Sequence, residues 1–408
     1  MKHLYVHIPF CRTPCAYCDF ASEPVWPHAR AGRVERYLGA LREELAERTG
    51  PRSDAGTLGR GGGPFETIYL GGGTPTVVPP DLLVALVRDL ALWMEMPPGA
   101  GAGGSSVAAR EAAPGTAPAG TAGASAPEFT IEANSGTIGA PLLERLAEAG
   151  VTRLSLGVQS FAPALRAALG RRVSQKEIAD ALAAIAATGW REWNIDLVFG
   201  IPGQTWSGAG ADIDAVVEAR PTHISLYDLT YTRAFRTRVD ATLGAGARRA
   251  AGAFAERHYA EAVARLESGG YRRYEVSNFA LPGHECRHNQ AYWRGADYLG
   301  IGASAVSTSG GERRTNPRSA GDYLSHRPAR VELLSPETRL WERAMLGLRT
   351  SDGVEEAAVL PVVDRAACDR LLAQGCLERR YGKLRLNPGF LDVSNTVIGA
   401  LLVHPGES

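Results

Sequence analysis

Apolar and polar residues fall into short runs of strand character, separated by helical patterns, through the first two thirds of the chain. Leu4 to Ile8, Thr67 to Leu70, Phe129 to Glu132, Arg153 to Leu156, Asn194 to Phe199 and His223 to Tyr227 read as strands, several of them bounded by glycine. Between them apolar residues return at helical spacing, as in Val34, Tyr37, Leu38, Leu41 and Leu45. Six βα units in series imply an α/β fold with a parallel sheet, and partial closure into a (β/α)6 barrel is expected. A doubly wound open sheet is the alternative. Two segments, about 51–64 and 97–127, carry almost no large apolar residue. Such composition buries too little surface to offset ordering, so both are expected to be flexible surface insertions.

Beyond about residue 330 the rhythm changes. Pro336 to Leu348 and Val363 to Gln374 predict helices, and Cys376 to Arg380 with Lys383 to Leu386 predict a hairpin around Tyr381-Gly382. A last helix is expected near Val393 to Leu402. That order suggests a small α+β winged-helix-like domain over 331–408, following a barrel over 1–235 and an accessory region over 236–330.

At 408 residues the chain can hold two or three domains and a substantial core. Lys+Arg and Asp+Glu are equal at 44 each, so no overall field draws nucleic acid or an anionic membrane. Winged-helix modules often bind DNA, but Arg365, Arg370, Arg379, Arg380, Lys383 and Arg385 are interspersed with Asp364, Asp369 and Glu378. A solvated mixed surface is expected there, and no nucleic-acid partner. The N-terminus has no basic segment leading into an apolar run, and no stretch reaches the length of a transmembrane segment. Six cysteines, three of them clustered, point to a reducing, cytoplasmic setting and a metal site rather than a disulfide framework.

The cluster is Cys11, Cys15 and Cys18, a CxxxCxxC run just after the first strand. Three thiolates without a nearby fourth can hold three irons of a cubane and leave the fourth iron open to a ligand that is not protein. Zinc is the competing reading and would want a fourth ligand. His3 and His7 are near in sequence, but they alternate with Leu4, Val6 and Ile8 along a strand, which turns them away from a loop-borne metal.

In parallel βα barrels the chemistry collects at the C-terminal strand ends. After the second strand comes Gly71-Gly72-Gly73-Thr74-Pro75-Thr76, whose glycines let backbone approach a ligand and offer unblocked N–H groups to an anion. Glu132, Gln159 and Asp196 follow on the next three strands. An unpaired carboxylate at Asp196, inside an apolar run, would be costly. Residues of this kind on successive strand ends suggest one shared pocket.

Taken in order, CxxxCxxC, GGGTPT, IEAN, LGVQSF and NIDLVFGIPGQT resemble the core of radical S-adenosylmethionine (SAM) proteins of the coproporphyrinogen oxidase-like group. The resemblance runs from Tyr5 to about Val403, excepting the two insertions. It implies that Cys11, Cys15 and Cys18 bind a [4Fe-4S] cluster, with Tyr5 and Tyr17 flanking cluster and cofactor. Gly72, Gly73 and Thr74 would contact the amino-acid portion of SAM, with Glu132, Gln159, Arg171 and Asp196 holding the rest.

The group contains an oxygen-independent coproporphyrinogen III oxidase and HemW-type heme chaperones. The oxidase carries a further cysteine two positions after the third ligand, where this chain has Phe20, and a long segment before its first strand, where only Met1 to His3 stand here. His288-Asn289-Gln290-Ala291-Tyr292-Trp293 is similar to the HNxxYW motif of the chaperones. A neutral imidazole at His288 can ligate heme iron, and Tyr292 and Trp293 can supply apolar faces for a porphyrin edge. A core aromatic pair with a satisfied histidine is the bland alternative, and Cys286 adds a second candidate ligand. The resemblance therefore implies a heme chaperone with heme, SAM and cluster as its ligands, whose C-terminal module docks a heme-acceptor protein.

Overall fold

The structure is a computed structural model and describes residues 1–25, 30–50, 64–94 and 127–405. Apart from Pro64 and Pro127, the two expected insertions lie outside the described residues. The six expected strands form as β1 (His3–Ile8), β2 (Thr67–Gly72), β3 (Glu128–Asn134), β4 (Arg153–Gln159), β5 (Glu192–Phe199) and β6 (His223–Asp228). They pair in that order, all parallel, in one sheet. Leu299–Ile301 adds parallel to β1, and Asn278–Ala280 adds antiparallel to β6. The strand order is linear, so among the described residues no pairing closes the ring: the architecture is a partial (β/α)6 barrel.

The strands alternate cleanly between two faces. Leu4, Val6 and Ile8, Ile68 and Leu70, Phe129 and Ile131, Leu154 and Leu156, Ile195, and Ile224 are all fully buried toward the surrounding helices. In the helix Arg30–Thr49, the predicted stripe Val34, Tyr37, Leu38, Leu41 and Leu45 packs into that core at 3% exposure or less. The other strand face carries Tyr5, Tyr69, Thr130, Ser155, Asn194, Ser225 and Tyr227, which line a lumen. A strand with period-two side chains can build a dry core on one side and a polar chamber on the other.

Residues 336–402 enclose a core of their own, including Ala344, Leu348, Val354, Leu377, Leu384, Leu386, Ile398 and Leu401. Helices Pro336–Gly347, Arg365–Ala373 and Ser394–Leu401 pack on an antiparallel sheet of Val354–Glu355, Lys383–Leu386 and Leu377–Arg380. Tyr381 and Gly382 turn its hairpin with φ of 53° and 78°, the pair of positive φ values that a two-residue type I′ turn demands. Arg273–Asp392 at 2.7 Å and a bidentate Arg313–Glu342 pair at 2.8 Å tie this module to the barrel side. Within 236–330, Arg272–Arg273, Asn278–Ala280 and Leu299–Ile301 extend the edges of the main sheet, while Val306–Ser309 and Glu312–Thr315 form a separate antiparallel sheet with Arg330–Leu333.

Candidate functional site: a lumen with two ends

At the C-terminal ends of the strands, the mouth of the barrel, the cysteine loop is pinned where it leaves and returns. Phe10–Cys11 pairs with Glu23–Pro24, and the backbone N–H groups of Glu23 and Val25 donate to Pro9 and Cys11 carbonyls at 2.7 and 2.9 Å. Cys11 is buried, and Cys15 and Cys18 are half-buried. Thr74 Oγ1 lies 3.7 Å from Cys11 Sγ, and Arg171 Nη1 lies 3.8 Å from Cys15 Sγ while its Nη2 donates to the Gly157 carbonyl at 2.5 Å. Burial pushes the Cys11 and Cys18 thiols up, Cys18 to about 11.

The glycine turn does a different job from the one its sequence suggests. The N–H of Gly72 donates to Glu132 Oε2 at 3.0 Å, that of Gly73 to the Ile8 carbonyl at 2.7 Å, and that of Thr74 to the Phe10 carbonyl at 2.8 Å. None of these three groups is unblocked for an anion. The glycines instead let the turn press against the cysteine loop. A Cβ at Gly72, where φ is 112°, would meet the His7 ring at 2.6 Å, and one at Gly73 would meet the Phe10 carbonyl oxygen at 2.6 Å.

Glu132 accepts from the Tyr69 hydroxyl at 2.7 Å as well as from Gly72. Burial still pushes its carboxyl up to about 7, against those two hydrogen bonds. Asp196 is not unpaired: Asn194 Nδ2 donates to it at 2.7 Å and Ser155 Oγ at 3.4 Å, although burial raises it too. Gln159 is buried at the end of β4, where a bulge gives it a φ of 72°. Tyr17 packs edge-on to Phe235 in a small apolar cluster beneath the loop, while Phe20 is exposed. Tyr5 sits deeper, stacked on Tyr69 at 6.2 Å, and its hydroxyl lies 3.0 Å from His7 Nδ1.

The N-terminal ends of the strands form a floor, and here the structure adds residues that the strand-end argument passed over. The helix Arg287–Trp293 plugs this end. Glu128, at the start of β3, accepts from the N–H groups of Arg287 and His288 at 2.9 Å each and from Cys286 Sγ at 3.4 Å. Buried Arg153 lies 3.4 Å from Glu128 and 3.3 Å from Glu192, and donates to the His284 carbonyl at 2.9 Å. Cys286 is thus already engaged, and burial raises its thiol. His223 bridges Asn194 Oδ1 and the Tyr274 hydroxyl, both at 2.8 Å, and Asn289 Nδ2 reaches the same hydroxyl at 3.0 Å.

His288 is buried against Tyr69 and Tyr292, with ring centroids at 5.2 and 5.3 Å. Its Nδ1 lies 2.8 Å from Thr67 Oγ1, and its Nε2 is buried with no hydrogen-bond partner. Burial lowers its pKa to about 3, so the ring is neutral at physiological pH. His288, Asn289 and Tyr292 line the lumen, a cavity of about 320 Å³. Trp293 does not join them. It lines a second cavity of about 360 Å³ with Gln290, Arg343, Thr350 and Val354, between the plug helix and the C-terminal module.

Thr67, Glu128, Arg153, Asn194 and His223 were missed as site residues. Each stands two residues before another polar or tyrosine position on the same strand face, Tyr69, Thr130, Ser155, Asp196 and Ser225, and that alternation is readable in the sequence.

Among the described residues no three His, Cys, Asp or Glu side chains converge on a single metal ion, the three cysteines included. A cubane takes one thiolate per iron and spreads them over its corners, so the loop's donor set fits a cluster. Among the described residues no helix is long and apolar enough to cross a membrane.

The family model of the Radical SAM superfamily matches residues 5–216. A protein of Synechocystis sp. described as heme chaperone HemW is 32% identical over 385 residues, covering 90% of this chain and 82% of the relative. The Mycobacterium tuberculosis heme chaperone HemW is 31% identical over 408 residues, covering 98% and 94%. The solved structure of Escherichia coli coproporphyrinogen III oxidase (HemN), a radical SAM enzyme, superposes with a TM-score of 0.72 over 97% of this chain and 89% of that one. At 20% identity that likeness shows the shared fold. On the family match and the two curated relatives, the chain belongs to the radical SAM superfamily and, within it, to the HemW family.

Proposed function

We propose that this chain is a cytoplasmic heme chaperone that binds heme at the floor of its lumen and passes it to an acceptor protein. The observation that carries the reading is His288, a buried neutral imidazole with an unpartnered Nε2 on an aromatic lumen wall. A neutral imidazole is the form that ligates heme iron. Tyr5, Tyr69 and Tyr292 offer the faces for the porphyrin, since Trp293 is turned away. Curated relatives described as heme chaperones support the same reading. Residues 1–235 would serve as the barrel, 236–330 as its accessory with the plug helix, and 331–408 as the docking module.

The mouth suits a [4Fe-4S] cluster on Cys11, Cys15 and Cys18. SAM would lie against Gly72, Gly73, Thr74, Glu132, Gln159, Arg171 and Asp196, flanked by Tyr5 and Tyr17. When bound, such a cluster supplies an open iron that chelates SAM and can pass it an electron. The Arg171 guanidinium, 3.8 Å from Cys15 Sγ, would place a positive charge beside the cluster. Glu132 and Asp196 would hold the cationic and hydroxyl groups of SAM with their carboxyl groups, and the close-packed glycine turn holds the loop in place.

The test is a heme titration of the anaerobically reconstituted full-length protein, followed by absorbance, with an oxidase assay on the same sample. Saturable heme binding that His288→Ala weakens, with no conversion of coproporphyrinogen, is the expected result. Robust decarboxylation without heme binding would overturn it in favour of the oxidase.

A further inference from the structure

Thr67 Oγ1 stands between two imidazoles, 2.8 Å from His288 Nδ1 and 2.9 Å from His3 Nδ1. A hydroxyl owns one proton, so it can donate to one of these nitrogens and must accept from the other. Two polarities satisfy both bonds. In the first, Thr67 donates to His288, whose own proton then sits on Nε2. That N–H would be buried without an acceptor, an orphan donor costing about 1–3 kcal/mol. In the second, His288 carries its proton on Nδ1, donates to Thr67, and Thr67 donates to His3. Nε2 is then a buried lone pair without a donor, at a like cost, but one that a bound metal would satisfy, as it could not the N–H of the first. His3 is half-buried at the start of β1, so it can take the tautomer this requires at lower cost.

We propose that Thr67 is a positioning residue that holds His288 in the Nδ1–H tautomer and so leaves Nε2 as a free lone pair for the iron of the cargo. The inference rests on the heme reading above and names what prepares its ligand. Metal-binding histidines commonly donate their second ring N–H to an oxygen, which fixes both tautomer and ring orientation. Here the oxygen is a side-chain hydroxyl on a fully buried strand residue, so the ring cannot rotate without breaking that bond. The backbone is fixed independently, because the His288 N–H is held by Glu128 at 2.9 Å. Ring orientation and helix position therefore have separate anchors, and removing Thr67 tests the first alone.

The experiment uses the full-length protein, labelled with ¹⁵N at histidine and assigned through His3→Gln and His288→Gln. Without heme, long-range ¹⁵N–¹H correlation should show His288 protonated at Nδ1 and bare at Nε2. Thr67→Val, which keeps the shape of the side chain but no hydroxyl, should lose that fixed tautomer and bind heme about 10- to 100-fold more weakly. Thr67→Ser should restore both. His288 protonated at Nε2 in the wild type, or an Nδ1–H tautomer that persists in Thr67→Val, overturns the inference. A tautomer that shifts in Thr67→Val with no change in heme affinity leaves the hold of Thr67 on the ring standing and overturns its part in heme binding, together with His288 as the ligand. If Thr67→Val does not fold, a wild-type-like spectrum and affinity in Thr67→Ser support the proposal, and loss of either in that variant counts against it.

Discussion

The mouth and the floor of the lumen are built from the same six strands in opposite ways. At the mouth the polar groups are largely spent on one another. The glycine turn's N–H groups go to Glu132 and to the cysteine strand, Asp196 is held by Asn194 and Ser155, and Arg171 bridges Cys15 to Gly157. At the floor an equally dense set of bonds holds the plug helix but leaves His288 Nε2 unsatisfied. The mouth is a frame whose bonds place three thiols. The floor is a frame whose bonds place the His288 ring and leave its Nε2, like Nε and Nη1 of Arg153, without a hydrogen-bond partner.

If the two ends are independent, the sharpest separation comes from Cys15→Ala. Iron and sulfide incorporated on anaerobic reconstitution should fall to background, while heme affinity, read by absorbance, stays within about twofold of wild type. Parallel loss of both would show that the ends are coupled rather than separate.

The next largest effect belongs to the floor. Glu128→Ala takes from buried Arg153 the more buried of its two carboxylates and removes the acceptor of the Arg287 and His288 N–H groups, so urea unfolding should show a loss of about 3 kcal/mol. Glu128→Gln, which retains an acceptor oxygen, should lose less. Cluster content per folded molecule should be unchanged in both, and a drop in either would tie the floor to the mouth.

A smaller effect returns to the mouth and depends on pH. The folded-state pKa of Glu132, about 7, lies above the ordinary carboxylate value of 4.5, so the native state holds this proton more tightly than the unfolded chain does. Its contribution to stability is therefore present at low pH and declines as pH rises through 7. Measured as the difference from Glu132→Gln, the cluster-free protein should lose about 2–3 kcal/mol between pH 5 and 8. A difference that does not change with pH would mean that the carboxylate is ionised in the native state throughout.

The mouth was legible in the sequence because its parts are contiguous. CxxxCxxC and GGGTPT each occupy one loop, and strand periodicity put Glu132, Gln159 and Asp196 at successive strand ends. What the glycines do was not legible, since neither the partners of their N–H groups nor the approach of Phe10 and His7 can be read without the tertiary fold. The floor was largely hidden for a different reason. Thr67, Glu128, Arg153, Asn194 and His223 are single residues on five strands, and the convergence of barrel chemistry on C-terminal strand ends says nothing of the N-terminal halves where they stand. The HNxxYW motif is contiguous and legible, but which cavity each of its aromatic residues lines is not. Along a helix His288 and Tyr292 are offset by about 40°, whereas His288 and Trp293 are offset by about 140°, so the two aromatic residues face different cavities.

The alternation along the strands has a consequence for how such a protein can change. Leu4, Val6 and Ile8 write the packing, while His3, Tyr5 and His7 on the same strand write the chemistry, and neither set needs to consult the other. A lineage can revise one text letter by letter while the other keeps the molecule folded. The fold shared with the coproporphyrinogen III oxidase structure, at 20% identity over nearly the whole chain, is what such separate revision leaves behind.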